Sequence, residues 1–426
     1  MTQARAAEDL LRELAPQVLG VLVRRHGQLD ICEDAVQEAL LEAAVEWAKS
    51  GVPEYPRGWL LTVATRRLID HVRSDSARRR REECLVVGAP PAELAGLPGE
   101  EANNDRDDSL LLLYMCCHPA LNSPAQVALT LRAVGGLSTA EIAGAFFVPE
   151  PTMGQRISRA KQRLRDADAV FSLPPPEEVE ERTRAVRHVL YLIFNEGYTS
   201  SSGAAVNRAE LTTEAIRLAR EVHRLRPADT ETTGLLALML LTEARRPART
   251  TPDGDVVPLA EQDRTRWDKE LVQEGVALVS SALSDGPLGS YQLQAAIAAV
   301  HDEAERVEDT DWAQVVALYE LLDQISPNPM ATLNHSVALA MVHGPTAGLD
   351  LLTTLNDDPR VCQHHLFYAV EGHLLDMAGN YAAASEAFET AARGTASQPE
   401  KRYLLERSKQ VVSGRRAASE LRGGRA

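Results

Sequence analysis

The feature that most constrains the fold of this chain is an amphipathic helical periodicity that runs through almost all of its 426 residues. Apolar residues recur at the spacing of one face of an α-helix, whereas alternating apolar and polar runs bounded by hairpin turns are hard to find. The sequence therefore predicts an all-α protein. A chain of this length is too long for one ordinary core, so we expect two or three helical domains.

Two stretches interrupt the periodicity and divide the chain. Residues 83–108 are rich in Pro, Gly and acidic side chains, and residues 172–181 contain three consecutive prolines, Pro174 to Pro176. Both compositions are typical of linkers. The predicted organisation is a first helical domain at 1–82, a flexible acidic linker at 83–108, a second helical domain at 109–171 and a large helical block from 177 onward.

The charge of the chain argues, at first, against a nucleic-acid-binding protein. The formal net charge is −16, and acidic proteins repel phosphate backbones. Residues 1–171, however, carry 20 basic and 24 acidic side chains, a net of only −4, and the remaining −12 belongs to the C-terminal block. The total charge therefore averages over unlike parts, and the basic stretches have to be judged locally.

The cellular compartment is predicted from what the sequence lacks. The longest apolar run, residues 110–117, is far shorter than the roughly 20 residues that a bilayer requires, and the N-terminus has no apolar signal segment. The five cysteines show no CxxC spacing and fit reduced thiols. We expect a cytoplasmic protein without a membrane partner.

The first basic stretch, residues 66–81, contains seven Arg against two Asp, a local net of +5. It continues a helix that begins near Trp59, in which Trp59, Leu60, Val63, Leu68 and Ile69 are expected to pack inward. Several polar side chains would project outward: Thr62, Arg66, Arg67, Asp70 and Arg73. An exposed Arg-lined helix with an aromatic residue at its start suits DNA phosphates and unstacked bases. The alternative for an Arg run alone is a solvated charged helix face.

The second basic stretch predicts a helix-turn-helix. Ser138 and Glu141 have capping-box spacing, which predicts a helix start, and Pro151 suits the first turn of the next helix. Residues 151–165 again have a net of +5, without an acidic side chain. Three early polar residues would meet base edges (Thr152, Gln155, Arg156), with Ser158, Arg159 and Arg163 nearer the phosphates. The alternative is a pair of antiparallel helices with a basic outer face.

At this point the residues resemble a family, the extracytoplasmic-function (ECF) sigma-70 factors. Residues 15–82 resemble sigma region 2, through Asp34-Ala-Val-Gln37-Glu38-Ala, Arg57-Gly-Trp59-Leu60 and Arg66-Arg67-Leu-Ile-Asp70. Residues 121–165 resemble sigma region 4. The resemblance implies a factor that binds core RNA polymerase and directs it to promoters, with no catalytic residue, metal or cofactor of its own.

The resemblance also implies the roles of individual residues. Asp34, Gln37 and Glu38 match the segment that faces the β′ clamp of core polymerase, although a solvated acidic helix face is the alternative. The residues expected at the −10 element, where a flipped base is captured, are Tyr55, Arg57, Trp59, Thr62, Arg66, Arg67, Asp70 and Arg73. Region 4 would meet the β flap and the −35 element, the latter through Thr152, Gln155, Arg156, Ser158, Arg159, Lys161 and Arg163.

The C-terminal block is expected to contain helical repeats. Seven residues follow the tetratricopeptide (TPR) order, namely Tyr368, Gly372, Gly379, Tyr381, Ala384, Phe388 and Ala391. We expect TPR-like repeats at 291–415 and a helical middle domain at 177–290. The latter resembles that of ECF factors with TPR-like extensions, a subgroup often encoded beside small YCII-like (DGPF) proteins. Such an extension would regulate activity or recruit a protein partner; the alternative is an irregular helical bundle.

Two other functions are weaker. A conventional helix-turn-helix regulator, with a ligand- or protein-sensing repeat domain, leaves the segment around Asp34 and the Arg helix after Trp59 without a role. An enzyme in the helical block lacks a recognisable motif, since the sequence has no P-loop, HExxH or GxSxG. Cys116-Cys117-His118 and His364-His365 do not predict a metal site, because adjacent ligands on a helix diverge by about 100 degrees.

Overall fold

The computed structural model describes residues 2–82, 108–146, 148–198, 209–284 and 286–423, and within these ranges the secondary structure is helical apart from turns and one isolated β-bridge. The prediction of an all-α fold is confirmed. The chain divides into two compact units, Met1–Leu192 and Ile193–Ala426. In the described part of the chain, no helix is both long and apolar enough to span a membrane.

The first domain is a bundle of three helices: α1 (Thr2–His26), α2 (Leu29–Ser50) and α3 (Pro56–Glu82). Each contacts the other two. Trp47 of α2 and Trp59 of α3 meet edge to face with their ring centroids 5.6 Å apart. Leu60 and Leu68 of α3 are buried, as the periodicity predicts. Because the apolar side of α3 packs into the bundle, the polar side chains on the opposite side of the helix face outward.

The second domain contains α4 (Ser109–Cys116), α5 (Ser123–Ala133), α6 (Thr139–Ala145) and α7 (Glu150–Asp166). The predicted capping box is present, since the Ser138 hydroxyl accepts from the backbone N–H of Glu141 and the Glu141 carboxylate accepts from that of Ser138. α7 follows after a short turn and buries one face against α5 and α6. The predicted helix-turn-helix is confirmed.

The two domains of the first unit pack against each other, because α1 contacts both α4 and α5. Asp108, the residue before α4, is buried and forms an ion pair of 3.2 Å with Arg24 of α1. A Cβ atom on Gly20 would lie 2.5 Å from the Cβ of Asp108, so only glycine permits this approach. The rest of the predicted linker, residues 83–107, lies outside the described residues.

Helix α8 (Val179–Tyr198) connects the two units. Its first part packs with the first unit, where the hydroxyls of Thr183 and Tyr114 lie 2.9 Å apart and Arg182 donates to the Tyr114 carbonyl over 2.9 Å. The C-terminal block, predicted from residue 177, therefore begins with a helix that is anchored on α4.

The second unit is a succession of contacting helices. They are α9 (Ala209–Leu225), α10 (Thr230–Ala244), α11 (Lys269–Ser284), α12 (Ser290–Glu303), α13 (Trp312–Ile325), α14 (Pro329–His343), α15 (Pro345–Thr353), α16 (His365–Met377), α17 (Tyr381–Gly394) and α18 (Gln398–Gly423). Three short 3-10 helices lie between α10 and α11, and the guanidinium groups of Arg245 and Arg264 lie over the ring of Trp267.

The residues of the TPR pattern occupy the packing positions between α16 and α17. A Cβ atom on Gly372 would lie 3.0 Å from the ring of Phe388, so the small residue lets the two helices approach closely. Ala384 and Ala391 are buried on the facing side, and Gly379 turns the chain between the helices at a φ of 74°. Successive helices from α12 onward contact their neighbours, as stacked helical repeats do.

Candidate nucleic-acid interface

Helix α2 presents a stripe of exposed side chains along one side. Asp34 is 60% exposed at its side chain, and Leu41 and Val45, one and two turns beyond Gln37, are 69% and 57% exposed. The opposite side of α2, with Ala35 and Trp47, is buried in the bundle. Acidic and apolar groups thus share a surface that the three-helix bundle leaves uncovered.

Leu41 and Val45 were not among the residues predicted at this surface. Sequence periodicity assigns apolar residues in a helix to the core, and neither residue breaks the helical pattern. The signal that marks them is their register, because they continue the stripe of Asp34 and Gln37 rather than the buried side. Exposed apolar residues beside charged ones are typical of protein-binding surfaces.

Glu38, the third predicted polymerase-facing residue, connects α2 with α3. Its carboxylate lies 2.9 Å from Nε2 of His71 and 3.6 Å from Nε of Arg67. The side chain remains partly exposed. Glu38 therefore lies beside the exposed stripe of α2 and also contacts basic side chains of α3.

The aromatic residues predicted at the −10 element have different environments. Tyr55 stands 74% exposed just before α3, whereas Trp59 is half-buried against Trp47. Arg57 is also half-buried. On the next turn the exposed Thr62 hydroxyl donates to the carbonyl of Gly58 over 2.8 Å. An exposed ring beside a fixed one is an arrangement on which an unstacked base can rest.

Arg66 and Arg67 are held by a single carboxylate on the neighbouring helix. Their guanidinium groups donate to the two oxygens of Glu42 over 2.8 and 2.7 Å. The hydrogen bond from Arg67 lowers the pKa of Glu42 most, and Glu42 in turn raises the pKa of Arg67. Asp70 and Arg73 lie further along the exposed side of α3. All eight residues predicted at the −10 element are thus at least partly exposed, on or just before α3.

Helix α7 divides the residues predicted at the −35 element between two sides. Five of them share one outward side at helical spacing: Thr152, Gln155, Arg156, Arg159 and Arg163. The core side consists of Met153, Ile157, Ala160 and Leu164. Ser158 and Lys161 lie on a third side, together with Gly154 and Arg165, and this side lines a cleft shared with α2.

Ion pairs cross this cleft between the two domains. The buried carboxylate of Glu33 lies 2.5 Å from Nζ of Lys161 and 2.7 Å from Nε of Arg132 on α5. Asp34 lies 3.4 Å from Lys161, and Asp30 pairs with Arg165. We call these six residues the interdomain cluster. Sequence reasoning missed Glu33, because a glutamate in an amphipathic helix is expected to face solvent.

Titratable groups elsewhere in the first unit have structural surroundings. Cys116 and Cys117 are buried, and burial raises the pKa of the Cys117 thiol to about 12. Within the described ranges, no group of three or more His, Cys, Asp or Glu side chains is arranged to hold a metal ion. The arrangement of charges on α2, α3 and α7 can bind polyanions and proteins.

Models of protein families match three separate segments of the chain. Residues 10–78 match the model for sigma-70 region 2, and residues 111–164 match that for sigma-70 region 4. Residues 182–283 match a family of unknown function, DUF6596. The matched segments include α2, most of α3 and α7, all of α6, and the helices from most of α8 to α11.

Individual relatives match either nearly the whole chain or about a third of it. An uncharacterized protein of Rhizobium meliloti is 40% identical over 413 residues, 95% of each chain. The probable ECF RNA polymerase sigma factor SigI of Mycobacterium tuberculosis is 29% identical over 36% of this chain and 52% of its own length. The ECF RNA polymerase sigma factor SigE of Mycolicibacterium smegmatis is 29% identical over 37% of this chain and 60% of its own length. No solved structure matches this chain.

Proposed function

We propose, for a chain that belongs to the ECF-type sigma-70 family, that the exposed stripe of α2 binds core RNA polymerase, that α3 binds the −10 element and that the outward side of α7 binds the −35 element. Sigma factors of this family bind core polymerase and promoter DNA and are not themselves enzymes. In this proposal each of the three helices has one partner, and the protein acts in the cytoplasm.

The observation that carries this proposal is the stripe of α2. Leu41 and Val45 are large apolar side chains at solvent-exposed positions, next to the acidic Asp34 and the polar Gln37. A buried apolar centre with charged residues at its edge is the usual composition of a stable protein interface. The two DNA-binding helices lie beside this stripe in the same compact unit, as a factor that presents promoter DNA to polymerase requires.

Charge reversal on α2 tests the polymerase contact. The double variant Asp34→Arg, Glu38→Arg and the single variant Leu41→Asp should each abolish co-purification with core polymerase, because each puts a repelling or desolvation-costly group into the interface. Glu46→Arg is the matched control: Glu46 is exposed on the same helix but lies off the stripe. Holoenzyme that assembles normally with both test variants contradicts the assignment.

In vitro transcription tests the function as a whole. Core polymerase with the full-length protein should initiate from the DNA upstream of its own coding sequence, and core polymerase alone should not. A protein that binds this DNA but supports no initiation without another sigma factor would be a conventional regulator, and the proposal would be wrong.

We further propose that the second unit regulates the sigma domains or recruits a protein partner. Its support is the succession of contacting helices, which builds an extended surface of the kind that repeat proteins use for binding. Deleting residues 199–426 leaves α8 whole, together with its anchor on α4. This deletion should change the level of promoter-dependent transcription; unchanged transcription, stability and polymerase binding would contradict the regulatory role.

A further inference from the structure

The last described helix of the second unit, α18, has two different sides. One side packs against α17 through Leu404 and Val411, which are buried in a shared apolar core. Another side, about 100 degrees round the helix, remains at the surface and carries Leu405 and Val412, which are 39% and 41% exposed. α18 therefore presents large apolar side chains that its contact with α17 does not bury.

The exposed apolar residues of α18 alternate with cations. Arg402, Leu405, Lys409 and Val412 follow one another at intervals of three, four and three residues, which keeps them on one side of a helix. The side chains of Arg402 and Lys409 are 52% and 75% exposed. We call these four residues the α18 stripe. It has the narrow width of a seam between two paired helices.

The ion pairs of the two cations leave most of the α18 stripe open. Arg402 lies 2.7 Å from Asp255, in the segment between α10 and α11, and this pair holds the first residue of the stripe. Lys409 lies 3.7 Å from Glu406 of the same helix, and exposed pairs of this kind contribute little to stability. Lys409 can therefore exchange Glu406 for the carboxylate of a partner at small cost.

The packing of helical repeats shows why the α18 stripe is unusual. Each helix in a stack is covered by its neighbours, and the outer side of a terminal helix is usually polar. No helix follows α18 within the described ranges, yet two of the four residues of the stripe are apolar. This side of α18 is suited to pack against a helix from another molecule.

The charge of the region indicates the chemistry of that molecule. Residues 401–426 contain eight basic and two acidic side chains, a local net of +6 within a block whose net is −12. Pairing of α18 with α18 of a second copy would bring like charges together, which is unfavourable. Duplex DNA would match the cations but would place Leu405 and Val412 against phosphates. A helix that carries both apolar and acidic residues matches the whole stripe.

We propose that the α18 stripe docks an acidic amphipathic helix of a partner protein. Apolar residues of the partner pack against Leu405 and Val412, and its carboxylates pair with Lys409 and Arg402. The docked helix adds one further layer to the stack of the second unit. This inference rests on the proposed recruitment of a protein partner by the second unit, and it names the surface and the chemistry of that partner.

A synthetic peptide tests this chemistry on the full-length protein. The probe is a fluorescent helical peptide of about three heptads, in which Leu and Glu alternate at the spacing of the α18 stripe. Its fluorescence anisotropy should rise to saturation as protein is added, and a peptide with Lys in place of Glu should bind at least about tenfold more weakly. No saturation of the acidic peptide up to about 0.1 mM protein overturns the proposal.

Substitutions on α18 separate the stripe from the basic helices α3 and α7, which also attract an acidic peptide. Leu405→Ser and Val412→Ser should each weaken binding about tenfold, because each removes an apolar contact at the centre of the docked pair. Leu321→Ser is the matched control: Leu321 of α13 is also 39% exposed but lies outside the stripe, so the affinity should stay unchanged. Equal affinities for all three variants contradict the docking site.

Reversal of one charge tests the electrostatic part of the contact. Lys409→Glu should weaken binding of the Glu peptide about tenfold and strengthen binding of the Lys peptide by a similar factor. Arg402 is left unsubstituted because it holds Asp255. A Lys409→Glu variant that changes both affinities in the same direction refutes the charge complementarity.

Two other results would assign the α18 stripe to a different occupant and overturn the proposal. A dimer of the free protein that Leu405→Ser dissociates in analytical ultracentrifugation identifies a second copy. A duplex of arbitrary sequence that binds the unsubstituted protein and is released by both Leu405→Ser and Lys409→Glu identifies DNA.

The docking site and the proposed role of the second unit can fail separately. Transcription with the protein that lacks residues 199–426 is measured in parallel. Changed transcription without peptide binding refutes only the docking site. Unchanged transcription, with peptide binding that depends on Leu405 and Val412, refutes the regulatory role and supports the docking site.

Discussion

The two basic helices α3 and α7 carry the same local excess of charge but use it differently. On α3, Arg66 and Arg67 are held by Glu42 within their own domain. On the outward side of α7, no ion pair to Arg156, Arg159 or Arg163 is seen among the described residues. One helix presents guanidinium groups at fixed positions, and the other presents groups that are free to meet a duplex.

Helix α2 explains the difference, because it supplies acids to both. Its later residues Glu38 and Glu42 face α3 inside one bundle, where covalent connection and a shared core keep them together. Its earlier residues face the cationic third side of α7, which belongs to another domain. The first set of contacts lies within one domain, whereas the second set joins two domains.

The largest expected effect is on the outward side of α7. Replacing Arg156 and Arg159 together with Ala should lower the affinity of holoenzyme for promoter DNA about a hundredfold, since each base or phosphate contact contributes about 1–3 kcal/mol. The slope of log affinity against log salt should fall by about 2, because two fewer counterions are released. Footprinting across a salt series measures both, and the loss should be confined to the upstream element.

The matched control for that prediction is Arg165→Ala. It removes the same charge from the same helix, but from the side that faces α2. Upstream protection by the holoenzyme should persist in this variant. Equal losses from Arg159→Ala and Arg165→Ala would show that the two sides of α7 do not differ in function.

The second prediction concerns how firmly α7 is formed. Gly154 lies inside this helix, and a Cβ atom there would meet only the Thr139 methyl, at 3.9 Å. Gly154→Ala should therefore stabilise the protein by up to about 1 kcal/mol and raise its Tm by a few degrees, because Gly costs more backbone entropy in a helix than Ala does. Differential scanning calorimetry measures the shift.

The contrasting substitution is Gly136→Ala, between α5 and α6. Gly136 has a φ of 69°, a conformation that alanine adopts only with strain, so this variant should lower the Tm. Shifts of the same sign in both variants would contradict the placement of Gly154 inside a regular helix.

The helices, and the residues on them that face outward, were largely predictable from the sequence. The capping box at Ser138 and Glu141 and the buried side of α3 depend on neighbours three or four residues away, and such spacings can be read directly. Local periodicity was sufficient in each case.

The interdomain cluster was not predictable in this way. Glu33 and Lys161 are 128 residues apart in the chain, and nothing local marks either of them as a partner of the other. The exposure of Leu41 and Val45 was missed for a related reason. An apolar residue in a helix is assigned to the core until the structure of the bundle shows which side of the helix is covered. Both failures concern tertiary contacts rather than secondary structure.

The smallest expected effect is on the pH dependence of Tm. It distinguishes the arginines of α3 that pair with Glu42 from the free arginines of α7. The pKa of Glu42 is lowered in the folded protein, chiefly by its hydrogen bond with Arg67. A carboxyl group with a lowered pKa contributes stability above its ordinary pKa, and this contribution is lost as the pH falls through the lowered value. Glu42→Gln should therefore have a slightly lower Tm than the unsubstituted protein at pH 7, and the difference should shrink below about pH 5.

The difference in Tm will be small because Glu42 and both arginines are partly exposed, and added salt should reduce it further. Thermal melts at several pH values, at low and high salt, measure it. Arg159→Gln is the comparison on α7: with no described carboxylate beside it, its effect on Tm should not depend on pH between 4 and 7 as that of Glu42→Gln does. Identical pH profiles for the two variants would mean that the arginines of α3 are no more fixed than those of α7.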